Sequence, residues 1–434
     1  MARRTLFALA ILFSGSASVF AQTDPLQEWN KSLLKETHNV LGFSFEERTR
    51  WEERFGVNFG RSVNQQDMLS RLRIGVQFKP YSWLKISALA QDARAPFFGP
   101  SAPNTLRDSL DLQEGYIQLF PDRKKGFGAV FGRQMLDYGE TRVIGSPQWA
   151  PLARTYDSAR LHYQRGNQHF EVLMISAVKI QSDSFNTPNL GDRIWGTYNV
   201  FSKAFRGASI DAYALRHSQN KIGGFSGTGT LGTNTVGGRF YGPLPAKFGF
   251  SLEGMGQTGH IGVLTQRAFA GFAGINRRTT LFNKPVNLML EYKLASGTKQ
   301  GSANSGTYDQ ISPANHDKFG HVDLFGWRNL KTLRGAASFS LTKTWTLNLM
   351  YTDEHLYSAT DALYNSQGAA ISTSKNGTAG THIGQELDAY MTYGHGPHLF
   401  GAGFGHFFKG EFVSQTTQNV NPRYFYVFQQ YSFK

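Results

Sequence analysis

Phe425-Tyr426-Val427-Phe428-Gln429-Gln430-Tyr431-Ser432-Phe433-Lys434 ends the chain. Phe425, Val427, Tyr431 and Phe433 share one face if this stretch is extended, because successive side chains of a strand point to opposite sides. A terminal strand with such an aromatic face is how outer-membrane barrels usually close.

The same two-residue period recurs upstream, almost continuously from residue 43. In Phe43–Phe59 the odd positions include Phe43, Phe45, Trp51, Phe55 and Val57, while the even ones include Glu46, Arg48, Arg50, Glu52 and Arg54. Leu72, Ile74, Val76 and Phe78 alternate with Arg71, Arg73, Gln77 and Lys79 in the next segment. Later runs at 286–294 and 345–352 repeat the pattern. Soluble sandwiches alternate too, but the ionic face here is too charged for a dry core and must border water.

Residues 1–21 carry Arg3 and Arg4, an apolar run from Leu6 to Phe13 and a small-residue exit at Ala21. They read as a signal peptide cleaved near Ala21. Residues 22–42 read as a short, weakly helical periplasmic segment, and 43–434 as a single transmembrane antiparallel β-barrel. The mean hydropathy of −0.36 is that of a soluble protein, yet a barrel gives the same average because its polar lumen offsets its lipid face. There is no cysteine, so stability has to come from closed hydrogen bonding rather than disulfides. The formal charge of +14 falls to +12 when Arg3 and Arg4 leave with the peptide. That balance favours anionic partners; export and the lack of a basic helix exclude nucleic acid.

Segmenting on the alternation predicts an all-β fold of about 18 strands with even count, short periplasmic turns and long extracellular loops. The connectors at 80–82, 121–125, 165–166, 202–205, 242–245, 343–344 and 395–397 are short, and 276–284 somewhat longer. Those at 93–109, 135–157, 179–191, 218–232, 295–330, 356–379 and 409–420 are long. Two outer connectors, 60–66 and 259–262, are shorter than the rule, which leaves one hairpin open.

Several fragments imitate catalytic motifs. Gly227, Gly229 and Gly232 match a dinucleotide fingerprint but lie in a Gly/Thr/Ser loop with no βα unit. Ser32 and Lys35 have the spacing of a serine-acylation tetrad without its companions. His316, Asp317 and His321 follow no metal-ligand spacing, and a polar, solvated loop accounts for them. No cofactor, metal or enzymatic activity is expected.

The arginines remain. Alternation places Arg48, Arg50, Arg71, Arg73, Arg133, Arg160, Arg193, Arg239 and Arg334 inward, with Glu46, Glu52, Asp211, Glu253, Glu291, Glu386 and Asp388 as counter-charges. Arginine suits a carboxylate path, since its charge persists at any relevant pH and its planar fork grips a carboxylate twice. The plainer role is pairing across the lumen to stiffen the wall, although the excess of base forbids complete pairing.

One long block, Phe131-Gly132-Arg133-Gln134-Met135-Leu136-Asp137-Tyr138-Gly139 through Arg142-Val143-Ile144-Gly145, Trp149 and Arg154-Thr155-Tyr156-Asp157-Ser158-Ala159-Arg160, closely resembles the alginate-export family of outer-membrane barrels. Weaker matches are Arg71–Gly75, Gln91–Arg94, Val322–Leu330 and Gly384–Asp388, so that the resemblance runs from about 68 to 390. It implies an 18-stranded monomer that releases an anionic polyuronate through an arginine-rich constriction. It implies too that Arg133 and Arg328 match constriction arginines, with Arg154, Asp157 and Arg160 near the lumen. Family exporters carry basic residues on the penultimate strand, whereas Leu399–Phe404 carries none; a related acidic sugar or a smaller anion is the alternative.

The expected protein is therefore an outer-membrane channel for an anionic solute, an alginate-like polysaccharide leaving the cell. A general or small-anion uptake porin is the first alternative, and an adhesin or barrel hydrolase the second. Expected partners are the anionic polysaccharide or small anion, outer-membrane lipid and lipopolysaccharide, the barrel-assembly machinery and periplasmic export components.

Overall fold

A computed structural model describes residues 24–61, 63–97, 105–121, 125–222 and 229–433. The expected signal peptide and Gly227 lie outside these. The first half of the barrel comprises β1 (Leu41–Phe55), β2 (Gln65–Tyr81), β3 (Leu84–Arg94), β4 (Asp108–Leu119), β5 (Lys125–Gln134), β6 (Tyr156–Arg165), β7 (Gln168–Lys179), β8 (Thr187–Phe205) and β9 (Ala208–Ile222). The second comprises β10 (Gly229–Leu244), β11 (Phe248–Ile261), β12 (Leu264–Leu281), β13 (Lys284–Ala295), β14 (Leu330–Ser340) and β15 (Trp345–Leu356). After a small loop hairpin, β16 (Leu363–Tyr364) and β17 (Ala370–Ser372), it finishes with β18 (His382–His395), β19 (His398–Lys409) and β20 (Arg423–Phe433). The hairpin apart, these make one 18-stranded sheet in which sequence neighbours pair antiparallel, and β1 pairs with both β2 and β20. The sheet is thus a closed barrel with no free edge. Both short outer connectors join true hairpins, which settles the count.

Burial follows the alternation. Arg48, Arg50 and Glu52 are buried on the inner face of β1, as are Asp67, Leu69, Arg71 and Arg73 on β2. The opposite face exposes Leu72, Ile74, Leu161, Val172, Leu290 and Phe404. An apolar belt of this extent would be a liability in water and is what lipid requires. No helix among the described residues is long and apolar enough to cross a membrane; the strands do so. Near the short turns Tyr81 stacks on Trp83 at 5.4 Å, Phe127 meets Tyr163 at 4.8 Å and Trp345 meets Tyr393 at 5.0 Å, the aromatic girdle of a membrane interface.

The closing seam is aromatic on the outside, with Phe45 facing Phe433 at 6.0 Å and Trp51 facing Phe425 at 6.0 Å. The helix Pro25–Glu36, N-capped by Asp24, docks on it. Asn30 bonds both backbone groups of Phe43 (2.9 and 3.1 Å), and Tyr431 donates to Asp24 at 2.6 Å.

The long loops do not stay outside. Segments 135–155 and 296–329 enter the barrel and run beside each other, with Gly145 N–H on the Ser312 carbonyl (2.9 Å) and Ser312 N–H on the Val143 carbonyl (3.0 Å). Their Leu136, Val143, Ile144, Tyr308, Phe325 and Trp327 are buried in one apolar cluster with the wall. The expectation of a solvated loop around His316 and His321 is corrected here: His321 is buried, because this loop fills the lumen instead of leaving it.

Candidate functional site

Charge gathers on the inner faces of β1 and β2. The register sets Arg48 opposite Arg71 and Glu46 opposite Arg73. Facing like charges repel, so each guanidinium needs an acceptor. The loop at 135–155 supplies them through its backbone. Arg48 donates to the carbonyls of Gln148 (2.9 Å), Trp149 (2.9 Å) and Ala150 (3.1 Å). Arg50 donates to the Trp149 carbonyl at 2.6 Å, stacks over its ring at 4.1 Å and pairs with Glu52 at 2.9 Å. Arg71 bridges Glu46 (2.7 Å) and the carbonyls of Gln148 and Ala150 (both 3.0 Å). Arg73 takes the Gln91 side chain at 2.7 Å and the Gln148 side chain at 3.0 Å. Hydrogen bonds to a charged donor contribute about 1.5–3 kcal/mol each, so this loop is clamped.

Three strands along the wall from β1, on β18, the polarity reverses. Glu386 and Asp388, buried on β18, accept from the backbone of loop 296–329: Val322 N–H on Glu386 at 2.9 Å and His321 N–H on Asp388 at 3.4 Å. Gly320 (φ +91°) has to be glycine, since a Cβ there would collide with the Glu386 carboxylate. Nearby Arg334 pairs with Glu291 at 3.3 Å, and Lys293 joins the same glutamate at 2.9 Å. Burial and the neighbouring His316 push the His321 imidazole down to about 3, so it is neutral.

The two loops are knotted to each other and to the wall. Asp309 accepts from His217 on β9 (2.7 Å) and Thr233 on β10 (3.0 Å). Burial alone would raise its carboxyl; His217 and Arg328 hold it down to about 2. Arg328 donates to the Tyr308 carbonyl (3.1 Å) and the Gly368 carbonyl (3.0 Å), joining 296–329 to 357–381. Arg154 donates to the carbonyls of Gly145 (3.2 Å) and Pro313 (3.0 Å).

Between the loops and the β1–β2 wall opens a cavity of about 700 Å³, lined among others by Arg50, Arg54, Trp149, Arg154, Gln310, Asn315, His316 and Gln367. Trp149 lies flat on His316 at 4.8 Å, and His316 is held by Asp323 at 2.8 Å. Toward the short-turn end, Arg160 grips Glu171 (2.9 Å) and Gln134 (2.8 Å). Arg239 bridges Glu140 (2.8 Å) and Asp211 (3.3 Å) beside a second opening of about 280 Å³.

Three expected lumen residues face the other way. Arg133 pairs with Asp157 at 2.9 Å, on the face of β5 and β6 shared with the exposed Phe131 and Leu161. The inward residues there are Gln134, Ser158 and Arg160, linked through 2.8 Å bonds. The carbonyl of Asn186, 3.2 Å from Arg133, covers the pair. Arg193 is exposed beside Trp195, while Asp192 turns inward to His217 at 3.0 Å. The alternation itself runs unbroken through both positions, since the pairings show no register shift there. Charge is a poor sign of the lumen face here, because these residues sit at the loop-bearing ends of their strands, where an outward charge can be hydrated. Lumen residues that went unassigned include Arg54, which pairs with Glu52 at 3.4 Å, and Trp149. Arg54 shares the even face of Arg48 and Arg50 and was visible there; Trp149 is brought in by a loop and was not.

A family model described as alginate export matches residues 38–427. No curated relative matches. Among solved structures, Pseudomonas aeruginosa OccK2 (OpdF) in complex with glucuronate is similar with TM-score 0.62 at 10% identity, covering 91% of this chain and 98% of that one. Pseudomonas aeruginosa OpdK gives 0.62 at 9% identity over 91% and 98%. OccD3 (OpdP) of the same organism gives 0.61 at 12% identity over 90% and 91%. At these identities the likeness concerns the fold.

Proposed function

The chain belongs to the alginate-export family and forms an outer-membrane channel, and from that premise we propose that it passes uronate-bearing sugars, its task being the export of an acidic polysaccharide. The observation that carries this is the unbalanced charge of the β1–β2 wall. On this wall Arg48, Arg50, Arg54, Arg71 and Arg73 share Glu46, Glu52 and Asp67, with Asp323 of the loop 3.9 Å from Arg54. Loop carbonyls satisfy the guanidinium hydrogens but are neutral, so the positive potential persists into the cavity. Trp149 and His316 add a flat apolar surface for a sugar ring beside cations for its carboxylate. Arg154, which among the described residues bonds only to carbonyls, is the cation this proposal assigns to the passing solute. Such binding has to be shallow for transport, and the acids Glu52 and Asp323 keep it so.

Diffusion of small uronates is the second reading. It is favoured by the two loops that narrow the lumen and by the glucuronate bound to the neighbour OccK2. The deciding experiment is the reversal potential of the purified protein in a planar bilayer under a KCl gradient, with polyuronate or monomeric glucuronate added. Anion selectivity with block by polymer supports export, and block by monomer alone supports uptake. An unselective current overturns both.

A further inference from the structure

On the outer face at the loop-bearing rim, Asp353 and His355 of β15 and His382 of β18 converge. Asp353 shares its face with the exposed Tyr351 and Leu349, whereas Thr352, Glu354 and Leu356 point inward and are fully buried. His355 and His382 are cross-strand partners at a register shift, which brings their rings to 4.8 Å. Both Nε2 atoms turn to the one carboxylate, His355 at 3.3 Å from Oδ2 and His382 at 3.1 Å from Oδ1. One ligand atom from each residue lies within 4.8 Å of the others.

We propose that these three side chains bind a divalent transition metal of the zinc class. Bonds of about 2.0–2.1 Å place neighbouring ligands about 3.3 Å apart in a tetrahedral shell and about 2.9 Å apart in an octahedral one, which brackets the two histidine–carboxylate distances; the remaining separations, within 4.8 Å, close by small side-chain rotations on binding. Two imidazoles and a carboxylate select zinc, nickel or copper over magnesium or calcium. The side chains are about a third exposed (26%, 37% and 35%), so the metal enters from solvent and keeps a position for water. Seated there, it would tie β15 to the residue at which segment 357–381 re-enters the barrel, and that segment carries Asn365 and Gln367 into the cavity wall. Lys331, opposite His355 on the next strand, is the nearby cation that weakens the site.

The test is titration of zinc chloride into the untagged, chelator-stripped full-length protein in detergent, followed by calorimetry and by the visible spectrum of the cobalt form. The expected result is one saturable site that His355→Ala and His382→Ala each weaken at least about tenfold, on the scale of losing a metal-site partner, with Lys331→Ala tightening it. Heat-modifiable gel mobility verifies that each variant is a folded barrel. Should a variant not fold, the wild-type cobalt spectrum decides, since a three-residue protein site gives bands that free aqueous cobalt does not. Absence of saturation at millimolar zinc, or wild-type affinity in folded His355→Ala and His382→Ala, overturns the proposal.

Discussion

The two walls that hold the inward loops use opposite halves of the peptide bond. β1 and β2 present guanidinium groups and seize the carbonyls of 148–150, whereas β18 presents carboxylates and seizes the N–H groups of 321–322. Neither wall depends on a side chain of the loop for these bonds. The lesson is that lumen charge in this barrel is first a means of fixing backbone, and only the surplus is left to act on a solute. The surplus is cationic at β1–β2 because several arginines share few acids, whereas at β18 one oxygen of each acid is taken up by a loop amide.

Removing a clamp on the cationic side should show the largest effect. Arg71→Ala leaves Glu46 with only Arg73 at 3.8 Å and leaves the carbonyls of Gln148 and Ala150 to Arg48 alone; breaking a buried charged pair costs up to about 3–5 kcal/mol. Urea-dependent unfolding in lipid should register that loss, and single-channel conductance should rise as 135–155 loosens; unchanged conductance would sink the clamp.

Asp309 ties the central loop to both β9 and β10 and offers a pH handle. Its folded carboxyl, at about 2, lies below the unfolded value of 3.8, so its contribution is fully present above about pH 4 and is lost as the pH falls through 2. The amount is about 2 kcal/mol. Proteolytic susceptibility of 296–329 should rise over that window, and Asp309→Asn should flatten the rise.

On the acidic side the comparison sharpens with a pair. Glu386→Ala leaves the Val322 N–H without its partner, at about 1–3 kcal/mol. Glu386→Gln keeps an acceptor and should cost less than about 1 kcal/mol by the same scale. If both cost the same in urea titrations, the carboxylate charge rather than the hydrogen bond holds the loop. Smallest of all, Arg193→Ala on the outer face should change stability by less than about 0.5 kcal/mol and leave the reversal potential untouched. A shift in selectivity would return Arg193 to the lumen and discredit the facing derived from Asp192.

Much of this was legible in the chain. Leu72 and Ile74 against Arg71 and Arg73 are enough to orient β2, since a period of two admits only one assignment of faces once one face must meet lipid. At Arg133 and Arg193 the rule was misapplied: each shares its parity with an outward apolar neighbour, Phe131 and Trp195, and the continuous register keeps it on that face. For Glu386 and Asp388 the inward facing was readable while their use was not: they were expected to neutralise arginines and instead hold amide groups 64 and 67 residues away in sequence.

By itself the sequence determined the strands, their number to within one hairpin, the aromatic outer face of the closing strand and the cationic sign of the β1–β2 wall. These follow from local periodicity, chain order and residue charge, which need no distant partner. Only the tertiary structure decided that 135–155 and 296–329 lie inside the barrel, that Trp149 rests on His316, and which guanidinium groups are held by loop carbonyls. Those outcomes depend on backbone groups carrying no sequence signature, brought within hydrogen-bond reach by closure of the whole sheet.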